Sequence, residues 1–285
     1  MKNPPLLLCA ILFALCALTP RAYAAGKGIY GVDDRKDVCE ADPDSRRLAR
    51  SVAAVMGGDM PAENGMVSLE LMDFKTAFSL CPDERFADQP VGSFCTASLV
   101  APDLMLTAGH CVPSAASCNG KKFVFGFQMG PNGEWPSKVP ASDVYSCAEV
   151  VASSNGDTRD FAVVRLDRPV LDREPIPVNR GLPPEKGAGV FVIGTPLGLP
   201  LKVAGGANVR AVEQDSFMTD LDTFGGNSGS PVFSARTGLL EGILIAGGQD
   251  LTVRDDVCVI TYVVGQNEGT GERVAMASQF SEYIK

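Results

Sequence analysis

Gly226-Asn227-Ser228-Gly229-Ser230-Pro231 is the stretch on which the reading of this 285-residue chain turns. Taken alone it is a run of turn formers, and a plain turn between strands accounts for it. It gains a chemical meaning beside Thr107-Ala108-Gly109-His110-Cys111, because His110 is the single histidine of the chain. Imidazole is the side chain whose unperturbed titration suits it to base chemistry near neutral pH. Between the two stretches, Asp160 opens Asp160-Phe161-Ala162-Val163-Val164-Arg165-Leu166. The apolar strand that follows favours Asp160 over Asp157 and Asp167, which read as solvated loop charges.

Working outward, short β-rich runs bounded by Gly, Pro and Asp recur: Met66 to Met72, Phe94 to Val100, Lys122 to Phe127, Phe161 to Leu166, Val190 to Ile193, Val209 to Val212, Leu239 to Ala246 and Val257 to Val264. Such spacing predicts an all-β protein built from antiparallel meanders or Greek keys. A proline-rich stretch from Pro169 to Pro184 divides the runs into two sets and reads as a crossover. The expected organisation is a leader over 1–24, an N-terminal arm over 25–55 on the surface, a first barrel over 56–170 and a second over 171–285. Val274, Ala277, Phe280 and Ile284 recur at helical spacing, so Glu272 to Ile284 is expected to be a closing C-terminal helix.

The leader reads as an export signal. Lys2 supplies the positive start, Leu6 to Leu18 the apolar core, and Ala22-Tyr23-Ala24 a small-residue cleavage site. That core is shorter than the roughly 20 residues a spanning helix needs, so no membrane anchor is expected. The net charge is −9, and loss of Lys2 and Arg21 takes it further negative. Nucleic acid and anionic membranes are therefore poor partners, whereas cationic peptides are drawn in. Of nine cysteines, seven follow the leader: Cys39, Cys81, Cys95, Cys111, Cys118, Cys147 and Cys258. In an exported chain these are expected in disulfides, with one left over. No C-x-x-C pair and a lone histidine leave nothing for a zinc cluster.

On the motifs TAGHC at 107–111, DFAVVRL from Asp160, and GNSGSP at 226–231, in that order, the chain resembles the trypsin-like, chymotrypsin-fold serine proteases. Within them it is similar to the bacterial branch that includes the glutamyl endopeptidases. The resemblance covers most of residues 60–265 and implies two packed six-stranded antiparallel β-barrels with the reacting groups in the cleft between them. It assigns Ser228 as nucleophile, His110 as general base and Asp160 as the carboxylate that holds the imidazole's tautomer. Gly226 and Ser228 would supply the oxyanion-binding N–H groups. The resemblance also implies a Cys95–Cys111 bridge, closing a loop worth about 3 kcal/mol in the chain-entropy model. Cys118 with Cys147 is the next pairing expected. The reaction implied is peptide-bond hydrolysis through an acyl-enzyme, on protein or peptide substrates, with no metal or cofactor.

Three positions depart from the trypsin branch. Asn227 stands where that branch has an aspartate paired to a new N-terminus, which argues against activation of that kind. Phe224 takes the place of a bracing cysteine. No second histidine remains for the pocket strand, Gly242 to Gly248, so glutamate specificity of that type is not expected. Asp222, followed by Thr223, holds the position that lines the pocket base in the trypsin branch, and a buried carboxylate there favours Lys or Arg at the cleaved bond; a loop charge turned to solvent, or one bonded to the neighbouring backbone, is the competing reading. Gly247 and Gly248 are expected to form an edge that pairs with extended substrate, and a plain hairpin turn accounts for them equally. The alternative to an enzyme is a secreted binding protein that has kept the fold and lost turnover.

Overall fold

The computed structural model describes residues 28–284, so the leader expected over 1–24 lies outside the described residues. Twelve strands form two closed antiparallel barrels. The first comprises β1 (Val52–Gly57), β2 (Cys95–Ala101), β3 (Leu104–Thr107), β4 (Lys121–Phe125), β5 (Val144–Asn155) and β6 (Asp160–Leu166). Around this barrel the order is β4-β5-β6-β3-β2-β1, and β1 pairs back onto β4. The second comprises β7 (Gly189–Gly194), β8 (Lys202–Val212), β9 (Ser216–Thr219), β10 (Pro231–Ser234), β11 (Leu240–Ala246) and β12 (Glu272–Met276). Its order is β7-β10-β11-β12-β9-β8, closed by β7 on β8. Closure removes the exposed edges that an open sheet of this composition would carry.

The barrels share packing. One buried cluster runs from Val55, Leu99, Leu106 and Phe123 in the first to Phe233, Leu240 and Ile243 in the second. The proline-rich connection between β6 and β7 carries no regular strand, and it exposes Leu171 and Leu182. Among the described residues no helix is long and apolar enough to cross a membrane.

Two expectations are corrected. Residues 272–284 are not a helix: Glu272–Met276 is strand β12, paired on both sides, followed by 3-10 turns at Ala277–Gln279 and Ser281–Tyr283. The periodic set Val274, Ala277, Phe280 and Ile284 is nevertheless buried. Closing the second barrel engages the backbone of 272–276 in two ladders, which outweighs the helical spacing of so short a segment. The turns then reach the first barrel, where Phe280 packs against Phe161 with ring centroids 5.9 Å apart.

The N-terminal arm does not lie on the surface. Ile29, Tyr30 and Arg35 are buried. Ile29–Tyr30 pairs in parallel with Val263–Val264, and Arg35–Asp37 adds a strand to β8. Val52–Gly57, assigned mostly to the arm, is the first barrel strand itself. Its small, β-branched sequence fits a tightly packed barrel wall.

Candidate active site

The site is built where the ends of β3 and β6 meet the turn between β9 and β10. β3 pairs with β6 at Thr107↔Ala162, and the chain then enters a 3-10 turn, Gly109–Cys111. That register brings the start of β6, Asp160, against His110. Asp160 Oδ1 accepts the His110 backbone N–H at 2.9 Å, and Oδ2 lies 2.5 Å from His110 Nδ1. Asp160 is 6% exposed whereas the His110 side chain is 39% exposed, so the carboxylate is sheltered and the imidazole faces outward. Holding Nδ1–H on a carboxylate leaves Nε2 with its lone pair, the form a general base needs.

This approach requires glycine at 109. A Cβ there would lie 1.9 Å from the Ser154 carbonyl and 2.8 Å from Asp160 Oδ1. The Cys95–Cys111 bridge fixes the far side of the same turn, with Cα atoms 6.3 Å apart. Cys95, His110 and Cys111 bring potential metal-donor atoms within 4.8 Å of one another. Both sulfurs are bonded to each other, which removes the thiolates a metal would need.

Ser228 is half-buried in the turn that precedes β10. The first barrel holds this turn directly. The Ser228 carbonyl accepts the Thr96 N–H at 2.9 Å and lies 3.8 Å from Cys111 Sγ. Gly229 has φ of +83°, and a Cβ on it would sit 2.3 Å from both the Thr96 carbonyl and Thr107 Oγ1. Only a residue without a side chain lets the turn dock this closely. His110 makes its hydrogen bonds to Asp160, and among the described residues none joins it to Ser228 Oγ. Such links commonly tighten only when substrate is bound.

The carbonyls of residues 225 to 228 are all engaged, and this orients the turn's amides. The Gly225 carbonyl accepts the Leu197 N–H at 2.5 Å, and the Asn227 carbonyl accepts the Ser230 N–H at 2.9 Å. In a planar trans peptide the N–H points opposite the C=O. The N–H groups of Gly226 and Ser228 are thereby turned away from these anchors, and neither donates to an acceptor among the described residues. The Gly226 carbonyl is held by Thr96 Oγ1 at 3.0 Å and Thr195 Oγ1 at 3.2 Å. These two threonines were not among the expected site residues. They are remote from every motif, and nothing local in sequence marks them.

The predicted specificity residues have a different outcome. Asp222 is buried, but its carboxylate does not present itself to a substrate: Oδ1 accepts the Tyr30 N–H and Oδ2 the Asp34 N–H, each at 2.8 Å. A carboxylate committed to two amides has no oxygen aimed at an incoming Lys or Arg, which corrects the pocket-base reading. Burial pushes its pKa up to about 7, partly offset by the two amides. The Thr223 hydroxyl donates to Glu272, a buried carboxylate on β12, and Glu272 also meets the Tyr30 hydroxyl at 3.4 Å. Gly247 and Gly248 follow β11, are exposed, and make no backbone hydrogen bonds among the described residues.

Three disulfides are present among the described residues. Cys95–Cys111 and Cys118–Cys147 match the expected pairs, Cys81–Cys258 was not foreseen, and Cys39 is left free.

Comparison with solved structures finds the same architecture. A glutamyl endopeptidase determined in complex with MPD is 19% identical, aligned over 90% of this chain and 97% of its own, with a TM-score of 0.52. Human heparin binding protein is 14% identical over 89% of this chain and 95% of its own, with a TM-score of 0.53. An inactive mutant of an M. tuberculosis H37Rv protein is 14% identical over 89% and 94%, with a TM-score of 0.50. At such identities the likeness speaks for the fold alone, which is that of the chymotrypsin-type proteases. Comparison with curated protein sequences finds no match. A family model described as a trypsin-like peptidase domain matches residues 95–243. Since that match spans more than half of its length, the chain belongs to the trypsin-like peptidase family.

Proposed function

We propose that the chain is an exported serine endopeptidase in which Ser228 is the nucleophile, His110 the general base and Asp160 the group that orients it. The observation that carries the reading is the His110–Asp160 contact beside a turn whose two amides, Gly226 N–H and Ser228 N–H, are uncommitted. In the reaction, Nε2 of His110 takes the proton from Ser228 Oγ as the oxygen adds to the substrate carbonyl. The carbonyl oxygen becomes an oxyanion and is stabilised by the two N–H groups. His110 then gives its proton to the leaving amine, and the acyl-enzyme remains on Ser228. A water, deprotonated by His110, adds to the acyl carbon, and its collapse frees the acid and the serine. No metal or cofactor takes part in these steps.

Substrates are proposed to be peptides with Lys or Arg at the cleaved bond. Support comes from the acidic chain, whose negative field draws cationic peptides toward it. Gly247 and Gly248, exposed and unpaired, would take the substrate backbone as an added strand. Export is supported by the disulfides, which persist in oxidising compartments, and by the leader.

A fluorophosphonate probe tests the chemistry. Labelling at Ser228 that disappears in His110→Ala is expected, and folded protein that takes no label would show a binding protein that has lost turnover. A peptide library then reads the cleaved bond: equal turnover of Lys, Arg and other residues removes the basic preference.

A further inference from the structure

We infer that Asp222 is a positioning residue that clamps the N-terminal segment, residues 29–37, behind the nucleophile turn, and that this clamp keeps the turn ordered for catalysis. The inference rests on the assignment of Ser228 as nucleophile.

Three consecutive residues upstream of Ser228 are each held by the segment. Asp222 accepts two of its backbone N–H groups, from Tyr30 and Asp34. Thr223 is held through a relay: its hydroxyl donates to Glu272, which meets the Tyr30 hydroxyl, and Tyr30 in turn accepts the Gly271 N–H at 3.1 Å. Phe224 carries the buried Arg35 guanidinium 4.4 Å from its ring centroid. Arg35 is itself oriented by Asp33, which receives its Nε at 2.9 Å and Nη2 at 2.8 Å.

The segment is anchored at both ends. Ile29–Tyr30 is paired with Val263–Val264, and Arg35–Asp37 with β8. The buried Lys202 ammonium closes the second anchor on Asp37 Oδ1 at 2.6 Å and Gln89 Oε1 at 2.7 Å. All these contacts are made by main-chain amides and side chains inside the chain, so none needs a free α-amino group. Asn227, next to the nucleophile, is buried and neutral, and among the described residues its Oδ1 takes only the Ser230 hydroxyl at 3.3 Å. The turn therefore owes its bracing to 222–224 rather than to a charge at 227. Asp222 faces Asp33 and Asp34 on the segment, and its partners are amides, which is why an amide side chain in its place sets donor against donor.

The experiment compares the full, disulfide-bonded protein with Asp222→Asn and Arg35→Met. It measures fluorophosphonate labelling rate, kcat and KM on a peptide, cleavage preference over a library, and hydrogen exchange by mass spectrometry. The expected result is a fall of about tenfold or more in kcat and labelling rate, as when reacting groups lose their alignment. KM and the library profile stay as in the wild type, and exchange rises at 223–228 but not in the first barrel. Should Asp222→Asn fail to fold, Arg35→Met gives the same readings. The inference is overturned if Asp222→Asn abolishes a preference for Lys and Arg while leaving kcat on other residues intact, or if both variants match the wild type. Wild-type protein that takes no label, yet shows faster exchange at 223–228 in the variants, overturns the nucleophile assignment and supports the clamp.

Discussion

The hydroxyls of Thr96 and Thr195 lie 2.9 Å apart, one from each barrel, and both reach the carbonyl of Gly226. Thr195 also donates its N–H to Thr96 Oγ1 at 3.0 Å. Both side chains are wholly buried, so the seam between the barrels is read out on the turn that carries Ser228. Thr96→Val keeps the shape and removes the hydroxyl, leaving the Thr195 N–H without its acceptor. Urea unfolding is expected to show a loss of about 1–3 kcal/mol, the cost of an unsatisfied buried donor. In kinetics kcat is expected to fall more than KM rises, and unchanged kcat would speak against the coupling.

Asp160→Asn retains an oxygen for the His110 N–H but turns an NH2 group toward Nδ1. The imidazole is then driven to the tautomer that carries its proton on Nε2, where it cannot accept one from serine. A drop of about 10⁴-fold in kcat with little change in fold is expected. Steady-state kinetics and circular dichroism check it together, and a variant within tenfold of wild type would show that Asp160 is not the orienting group.

Gly109→Ala tests the close approach by itself. The new Cβ meets a backbone carbonyl at 1.9 Å, so the turn must move away from β5 and from Asp160. Activity is expected to fall by about 100-fold, the scale of a misplacement of roughly 1 Å, and the melting temperature should drop as well. Full activity would mean the turn relaxes without cost.

The buried Asp222 also leaves a mark on stability against pH. Its folded pKa, about 7, lies above the ordinary aspartate value of 3.8, so between those two values the folded state binds the extra proton. Stability from this group is then full below about pH 4 and declines as pH rises toward 7, by at most about 1.4 kcal/mol per unit, before levelling. Urea titrations from pH 4 to 8 should show that slope in wild type and a flatter curve in Asp222→Asn. Parallel curves would remove Asp222 as its source.

The barrels were legible where a strand is long, β-branched and bounded by turn residues, as at Cys95–Ala101, Asp160–Leu166 and Leu240–Ala246. Val52–Gly57 was hidden by its alanines, and Val144–Asn155 by its polar and half-exposed residues, which carry no clean alternation. His110 and Asp160 were legible because their motifs are contiguous and the register of β3 on β6 joins them. Asp222 was misread because a position along the chain does not say which way a carboxylate turns; that depended on Tyr30 and Asp34, almost 200 residues away. Thr96, Thr195 and Arg35 share that origin, since each acquires its role only through tertiary contact.

Cys81–Cys258, at a sequence separation of 177, differs from the other two bridges in joining a loop of the first half to a hairpin of the second. The exposed connection around Leu171 and Leu182 lies inside the span it encloses. A protease that cuts there produces two fragments that still migrate as one molecule, and only a reductant separates them. For this chain, then, the size seen under non-reducing conditions does not report whether the connection between the barrels is intact.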